Sequence, residues 1–341
     1  METPGHSADG ADGGRGGPTC ARATTTSVEM ALNPFTRDEE LWAWYKRAEA
    51  SFWTVEEVDL AQDKRDWDTL SDNERSFVKN VLSFFASSDI VVADNALLNF
   101  CEEVPEREAK FFYGFQCAME NIHSEMYLEL ILAYVADPNE QRRLLDVATT
   151  DCVTREKVAW MQKWMDPTRN SFLHRLVAFA CVEGIFFSAS FCSIFWLRKR
   201  GKMPGLCFSN ELIARDEGMH RDFAVLQYNR KGGIPEQDVV DIVSDAVRVE
   251  TRFVHESLPV RLIGMNADSM AQYVRFVADH LLVSMGHAKL YASENPFDWM
   301  ELISLAGKTN FFEKRVPEYQ MSGVGQSAQL RQRDLVLDSD F

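Results

Sequence analysis

The chain has 341 residues, of which 46% are hydrophobic, and this is enough to bury a large core. Its 52 acidic residues outnumber its 36 basic residues, for a formal net charge of −16. The acidic excess argues against nucleic-acid binding, which calls for a basic surface. Seven cysteines without C-x-x-C spacing argue against a disulfide framework and a zinc ribbon. We expect a reducing, cytoplasmic location.

The pattern along the sequence predicts an all-α protein with three parts. Segment 1–30 is rich in Gly, Ser, Thr and Asp and is predicted to be disordered, and segment 319–341 is predicted to be a flexible tail. Between them, 31–318 is predicted to form one helical domain, because strand patterns are nearly absent. The predicted helices lie near 36–50, 72–102, 106–136, 153–165, 170–200, 209–231, 236–257 and 267–292.

Local motifs refine this prediction at three places. Capping boxes, in which the first and fourth residues bond to each other's main chain, are predicted at 36–39 and 71–74. The most apolar stretch, 176–197, is long enough to cross a bilayer, but it carries Glu183 near its middle. Because a membrane span rarely accepts a glutamate, this stretch is predicted to be a buried core helix.

Two copies of the motif Glu-x-x-His lie in long predicted helices, Glu120 with His123 and Glu217 with His220. Residues three apart are neighbours on a helix, so each motif places a carboxylate beside an imidazole. Two such helices, with one carboxylate from each of two more, form the ligand set of a di-iron or di-manganese site in a ferritin-like bundle. Taken singly, each acid could equally lie on an exposed helix face. Together they predict a ferritin-like bundle with a buried di-metal site.

The two remaining carboxylates should come from the apolar helices that face these motifs. Glu183 is the clearest candidate, because a lone acid in an apolar stretch is costly to bury without a partner. The other is Asp89 or Asp94, which lie about 140° apart on a helix of ~3.6 residues per turn. Helical periodicity does not decide between them.

Tyr127 lies four residues after His123, on the same face of the predicted helix. A phenol in this place could lose an electron and a proton to a metal pair. Three apolar residues lie at helical spacing from the predicted ligands and could form a wall that excludes water, although each singly also fits ordinary core packing: Phe187, Phe191 and Ile213.

These motifs resemble the small subunit of class I ribonucleotide reductase of the eukaryotic type. The resemblance covers 41–341 and rests on five segments: 50–59, 118–127, 182–188, 209–220 and 310–315. It implies two iron ions per chain, in an oxo-bridged pair that reacts with O2, and a stable tyrosyl radical at Tyr127 within a pocket of Phe187, Phe191 and Ile213. The implied ligands are Asp89, Glu120 and His123 for one iron and Glu183, Glu217 and His220 for the other.

The resemblance also implies a path by which the radical leaves the site. Trp53 and Asp216 resemble a relay that ends at His123, and Tyr319 resembles the exit tyrosine. The tail that runs from Leu335 to the terminal Phe341 would dock on the large subunit, which binds the ribonucleotide. A homodimer is also implied.

Three other functions are compatible with such a bundle. A di-iron oxidase or monooxygenase would have no use for Tyr127 or the tail. An iron-storage or ferroxidase-like protein predicts a cage of shorter chains, each of about four helices. A catalytically silent paralogue is disfavoured by the complete ligand set. The choice between Fe/Fe and Mn/Fe loading stays open.

Overall fold

The structure is a computed structural model that describes residues 37–92, 98–146, 151–256, 265–297 and 300, with only the backbone for 87–92 and 98. Several predictions fall outside this part of the protein. They concern the N-terminal segment 1–30, the tail with Tyr319, Leu335 and Phe341, residue Asp94 and the side chain of Asp89. The backbone of Asp89 lies in a helix, within the segment Asp72–Val92.

The described residues form α-helices and no strand, which confirms the all-α class. The first half of the sequence contains α1 (Glu39–Ala50), α2 (Ala61–Thr69), α3 (Asp72–Val92), α4 (Leu98–Glu103), α5 (Arg107–Tyr134) and α6 (Pro138–Leu145). The second half contains α7 (Cys152–Met165), α8 (Phe172–Cys181), a π-helical segment (Val182–Phe186), α9 (Ser188–Lys199), α10 (Pro204–Arg230), α11 (Glu236–Glu256) and α12 (Ala267–Ser284).

One of the two predicted capping boxes is correct. At the start of α3, the Glu74 amide donates to Ser71 Oγ at 3.3 Å, and the Ser71 amide donates to the Glu74 carboxylate at 2.8 Å. The box predicted at 36–39 is wrong, because α1 begins later. Its N-cap is Asp38, whose carboxylate accepts the Leu41 amide at 3.1 Å.

Other differences concern helix ends. Helix α10 begins at Pro204 rather than near 209, and Pro138 likewise stands at the first position of α6, which was not predicted. Proline suits this position because the first turn of a helix needs no amide hydrogen from it. Helix α12 ends at Ser284 rather than near 292, and Gly286 follows with φ +85°. Helix α2 was also not predicted.

The long apolar helix predicted at 170–200 is interrupted by the π-helical segment, which carries Glu183. Gly184 allows a close approach here, because a Cβ on it would lie 2.9 Å from Cδ of Arg221. The stretch Phe172–Lys199 is apolar and long enough to cross a membrane, but its most apolar 18 residues are wholly buried within the described fold. It therefore packs as a core element, which agrees with the buried core helix that the sequence analysis predicted from Glu183.

Four helical units surround the centre of the bundle: α3, α5, the α8–π–α9 unit and α10. Helix α3 packs on α5, α5 packs on α10, and α10 packs on α8 and the π-helical segment. Lys231, just after α10, lies 3.2 Å from the carboxylate of Glu106, just before α5. These two helices are therefore antiparallel, which brings their Glu-x-x-His motifs to the same level.

The N-terminus of α10 is held by Asp63, a fully buried carboxylate on α2. It accepts the amides of Gly205 and Leu206 at 2.7 Å each and the hydroxyl of Tyr134, near the end of α5, at 2.6 Å. The ring of Trp67 stacks on Tyr134 with centroids 5.0 Å apart. Helix α2 thus joins the end of α5 to the start of α10.

We expect Asp63→Ala to lower the free energy of unfolding by roughly 3 kcal/mol, because two helix amides and a phenol lose their common acceptor. Urea denaturation followed by circular dichroism measures the change. The control is Asp68→Ala on the exposed side of α2, which should change stability by less than about 0.5 kcal/mol. Equal losses in the two variants would contradict this role for Asp63.

Candidate metal centre

The two Glu-x-x-His motifs meet in the core between α5 and α10. His123 Nδ1 lies 3.0 Å from Glu217 Oε1 and 3.3 Å from Glu120 Oε2. His220 Nδ1 lies 2.8 Å from Glu217 Oε2 and 3.0 Å from Glu120 Oε1. Each imidazole therefore faces both carboxylates, and all four side chains are at least 97% buried.

Glu183 reaches the same cluster from the π-helical segment. Its carboxylate and the ligand atoms of Glu120, Glu217 and His220 all lie within 4.8 Å of one another. Glu183 itself is 5% exposed. A π-helical turn is a frequent feature of functional sites, because it displaces side chains from their regular α-helical positions. The structure thus brings together five of the six predicted ligands, and the side chain of Asp89 is outside the described part.

The charges of the cluster are balanced within the core. Burial lowers the pKa of His220, but Glu120 and Glu217 outweigh this and raise it to about 9. Burial also opposes protonation of His123, yet Glu217, Asp216 and Glu120 raise its pKa well above the ordinary value. In turn, the two imidazolium groups outweigh burial and hold the pKa of Glu217 far below its usual range.

The donor set fits a pair of divalent transition ions. Carboxylate oxygens with imidazole nitrogens suit iron or manganese, whereas structural zinc sites favour thiolates. Several carboxylates buried together would repel one another. Without metal, protonated imidazoles balance this negative charge, and bound metal cations would balance it instead. The convergence of five such side chains in a dry core therefore supports metal binding.

A hydrogen-bonded path leads from His123 away from the cluster. Asp216 Oδ2 accepts the indole N–H of Trp53 at 2.8 Å and lies 3.3 Å from His123 Nε2. The rings of Trp53 and His123 are nearly parallel, with centroids 6.1 Å apart. Although burial opposes it, Arg215 holds the pKa of Asp216 below its ordinary value. Arg215 is itself anchored at 2.6 Å to the main-chain oxygen of Ser51.

Tyr127 is 97% buried and lies against a cluster of aromatic rings. The ring of Phe85 on α3 stacks on Tyr127, with centroids 4.8 Å apart and planes at 5°. Phe85 also packs against Phe191 at 5.0 Å and Phe187 at 5.7 Å. Ile213 on α10 is fully buried.

The sequence analysis missed Phe85. Its position four residues before Asp89, on the same helical face, was the signal that could have identified it. Tyr319, the predicted exit residue, is outside the described part of the protein.

Comparisons with known proteins agree on one family. Residues 29–296 match the family model described as ribonucleotide reductase, small chain. The sequence is 54% identical over 305 residues to the ribonucleoside-diphosphate reductase small chain of Nicotiana tabacum, covering 89% of this chain and 92% of that protein. It is 54% identical over 304 residues to the small chain of Trypanosoma brucei brucei, covering 89% and 90%.

Solved structures show the same fold. The ribonucleotide reductase Rnr4 homodimer of Saccharomyces cerevisiae matches with a TM-score of 0.74 and 37% identity, over 85% of this chain and 89% of that one. Dimanganese(II)-NrdF of Streptococcus sanguinis matches in fold alone, with a TM-score of 0.71 and 17% identity over 80% and 97%. The predicted ferritin-like bundle is confirmed.

We expect Glu183→Ala to weaken the binding of one of two metal ions roughly tenfold or more, because one cation loses a carboxylate ligand. Anaerobic titration with Fe(II), followed by metal analysis, measures the stoichiometry. Glu129→Ala, on the exposed face of α5, is the matched control and should bind metal as the wild type does. Normal loading of two ions by Glu183→Ala would exclude this role for Glu183.

Proposed function

The chain belongs to the family of ribonucleotide reductase small chains, and on that premise we propose that it generates a tyrosyl radical at a di-iron site. As the small subunit of ribonucleoside-diphosphate reductase, it works with a large subunit. The radical would serve that subunit in reducing ribonucleotides to deoxyribonucleotides. The observation that carries the proposal is the buried cluster of Glu120, Glu183, Glu217 and His220, in which Glu120 lies two helical turns before Tyr127 on α5.

We infer that the resident metal is a pair of iron ions, which when bound supplies the oxidising power of O2 reduction. The proposed ligands are Asp89, Glu120 and His123 for one ion and Glu183, Glu217 and His220 for the other. Tyr127 would then be the source of one electron for the bound metal pair, and with the loss of its phenolic proton it would become the radical. The oxygen-rich donor set and the burial of the five described ligands support this proposal.

The aromatic wall protects the proposed radical. Phe85 covers one face of the Tyr127 ring, and Phe187 and Phe191 pack behind Phe85. With Ile213 they keep water and reductants away from the phenol, which lengthens the lifetime of a reactive intermediate.

We propose that Trp53, Asp216 and Tyr319 carry the radical between this site and the large subunit. His123 supports the start of the path, because its Nδ1 faces the carboxylates while its Nε2 faces Asp216. A second bond from the imidazole to a carboxylate fixes the ring orientation, as in many metal sites. The Trp53 indole continues the hydrogen-bonded path towards α1.

An oxidase or monooxygenase would need a substrate cavity at the metal. A cavity of about 230 Å³ lies against α5 and is lined by residues that include Val55, Glu125 and Glu129. None of the five described ligands lines this cavity. This observation gives the oxidase alternative no support.

We expect Tyr127→Phe to abolish the tyrosyl signal in electron paramagnetic resonance while two iron ions stay bound, because only the oxidisable hydroxyl is removed. The matched control is Tyr113→Phe, which removes a buried phenol fourteen residues earlier on α5 and should keep the signal. A tyrosyl signal that persists in Tyr127→Phe would assign the radical to another tyrosine and contradict the proposal.

We also propose that the tail from Leu335 to Phe341 docks on the large subunit and that the small chain is a homodimer in the cytoplasm. The apolar side chains of Leu335, Val336, Leu337 and Phe341 suit a groove on a partner protein. The homodimer formed by the yeast relative supports the dimer. The free cysteines support a reducing compartment: Cys101, Cys117, Cys152, Cys181, Cys192 and Cys207.

We expect deletion of 335–341 to abolish ribonucleotide reduction with the large subunit but to spare the radical, because the site is assembled from distant helices. Activity assays and resonance spectra of the same samples separate the two effects. As a control, a synthetic peptide of the sequence 335–341 should inhibit the full-length pair. Unchanged turnover after the deletion would refute the docking role.

A further inference from the structure

Lys157 is a fully buried cation that lies outside the metal cluster, on α7. Its Nζ is 2.6 Å from a carboxylate oxygen of Glu250 on α11 and donates to the main-chain oxygen of Phe186 at 2.8 Å. Lys157 and Glu250 are both 0% exposed. The ring centroids of Phe84 and Phe253 lie 3.8 and 3.9 Å from Nζ and shield the ion pair from water.

The main-chain oxygen that Lys157 contacts belongs to the last residue of the π-helical segment. A change from π-helix to α-helix interrupts the regular series of main-chain hydrogen bonds. Buried carbonyl groups at the change therefore need other hydrogen-bond donors. Ser188 Oγ donates to the oxygen of Ile185 at 2.7 Å, and Lys157 donates to the oxygen of Phe186. Side chains therefore hold two consecutive carbonyl groups at this junction.

Helix α7 also holds the ring of Phe186. Trp160, three residues after Lys157, packs edge-on against this ring with centroids 4.9 Å apart. Both the main chain and the side chain of Phe186 are thus fixed by the same helix, three residues beyond Glu183.

We propose that Lys157 is a positioning residue, which holds the π-helical segment in the register that presents Glu183 to the metal cluster. The inference rests on the proposed role of Glu183 as a metal ligand. Glu250 balances the charge of the ammonium, and the amide oxygen of a glutamine at this position would still accept a hydrogen bond from Nζ.

The direction of the Glu183 side chain depends on the register of the π-helical segment. Successive residues of an α-helix are turned by about 100°, and a π-helical segment holds one additional residue in its turn. If the segment relaxed to a regular α-helix, the Glu183 side chain would rotate by about that angle relative to α9. Its carboxylate would then leave the cluster, although the bundle could stay folded.

The test replaces the ion pair with apolar side chains, in the double variant Lys157→Met with Glu250→Met. Such replacements are often neutral for stability, and this one removes the donor to Phe186. Two comparisons are matched to it. Glu250→Gln keeps Lys157 and therefore the donor to the main-chain oxygen of Phe186. Arg175→Met removes another buried cation, on α8, whose partners include the Glu103 carboxylate and the main-chain oxygen of Asn170.

Hydrogen exchange of the metal-free proteins and anaerobic Fe(II) titration provide two independent readouts. In the double variant, we expect exchange across 182–190 to accelerate roughly tenfold to hundredfold, as the loss of a hydrogen bond to a charged group implies. Exchange in α5 and α10 should not change, and one ion rather than two should bind tightly. Glu250→Gln and Arg175→Met should behave as the wild type does.

The outcomes separate this inference from the proposed function. Unchanged exchange at 182–190 and two tightly bound ions in the double variant would overturn the inference. An equal loss in Glu250→Gln would also overturn it, because the ion pair rather than the bond to Phe186 would then matter. If the double variant does not fold, Lys157→Met with Glu250→Gln, which also leaves no unpaired charge, gives the same comparison. A wild-type protein that binds no metal pair would overturn the proposed function instead.

Discussion

The burial of charge at the centre of the bundle is the constraint on which the rest of the structure depends. Three carboxylates and two imidazoles share a space with almost no access to water. An isolated buried charge costs several kcal/mol, so each group must face an opposite one or a metal ion. The antiparallel pairing of α5 and α10 meets this need, because it sets Glu120 beside His220 and Glu217 beside His123. The same arrangement places carboxylate oxygens and imidazole nitrogens close enough together to bind cations.

The surrounding packing keeps this cluster dry and fixed. The α8–π–α9 unit is largely apolar, and Glu183 is the acid that it carries into the core. On the other side, Phe85 seals the ring of Tyr127. At one end, Asp63 binds α10 to α2 and α5, so the axial positions of the two motif-bearing helices are set together. A metal site of this kind works only if its supporting residues hold the ligands within a fraction of an ångström.

The sequence predicts those parts of the site that depend on local geometry. Glu-x-x-His is informative because neighbours on one helical face are known once the helix is known. Glu183 is informative because an apolar context makes a lone acid costly. In contrast, Asp63 stands in the charged segment 61–69 and looks exposed, although tertiary contacts with residues more than 70 positions away bury it. The stacking of Phe85 on Tyr127 and the π-helical segment also depend on contacts between helices.

Two buried polar contacts support the cluster from outside it. Asp216 orients His123 through Nε2, and Lys157 holds the main chain just beyond Glu183. Each acts on a ligand from behind and each is itself held by a counter-charge, Arg215 in one case and Glu250 in the other. Because neither contact requires a metal ion, both can order the ligands before metal arrives. The binding energy of the metal would then not be spent on arranging the protein, which is the physical benefit of a preorganised site.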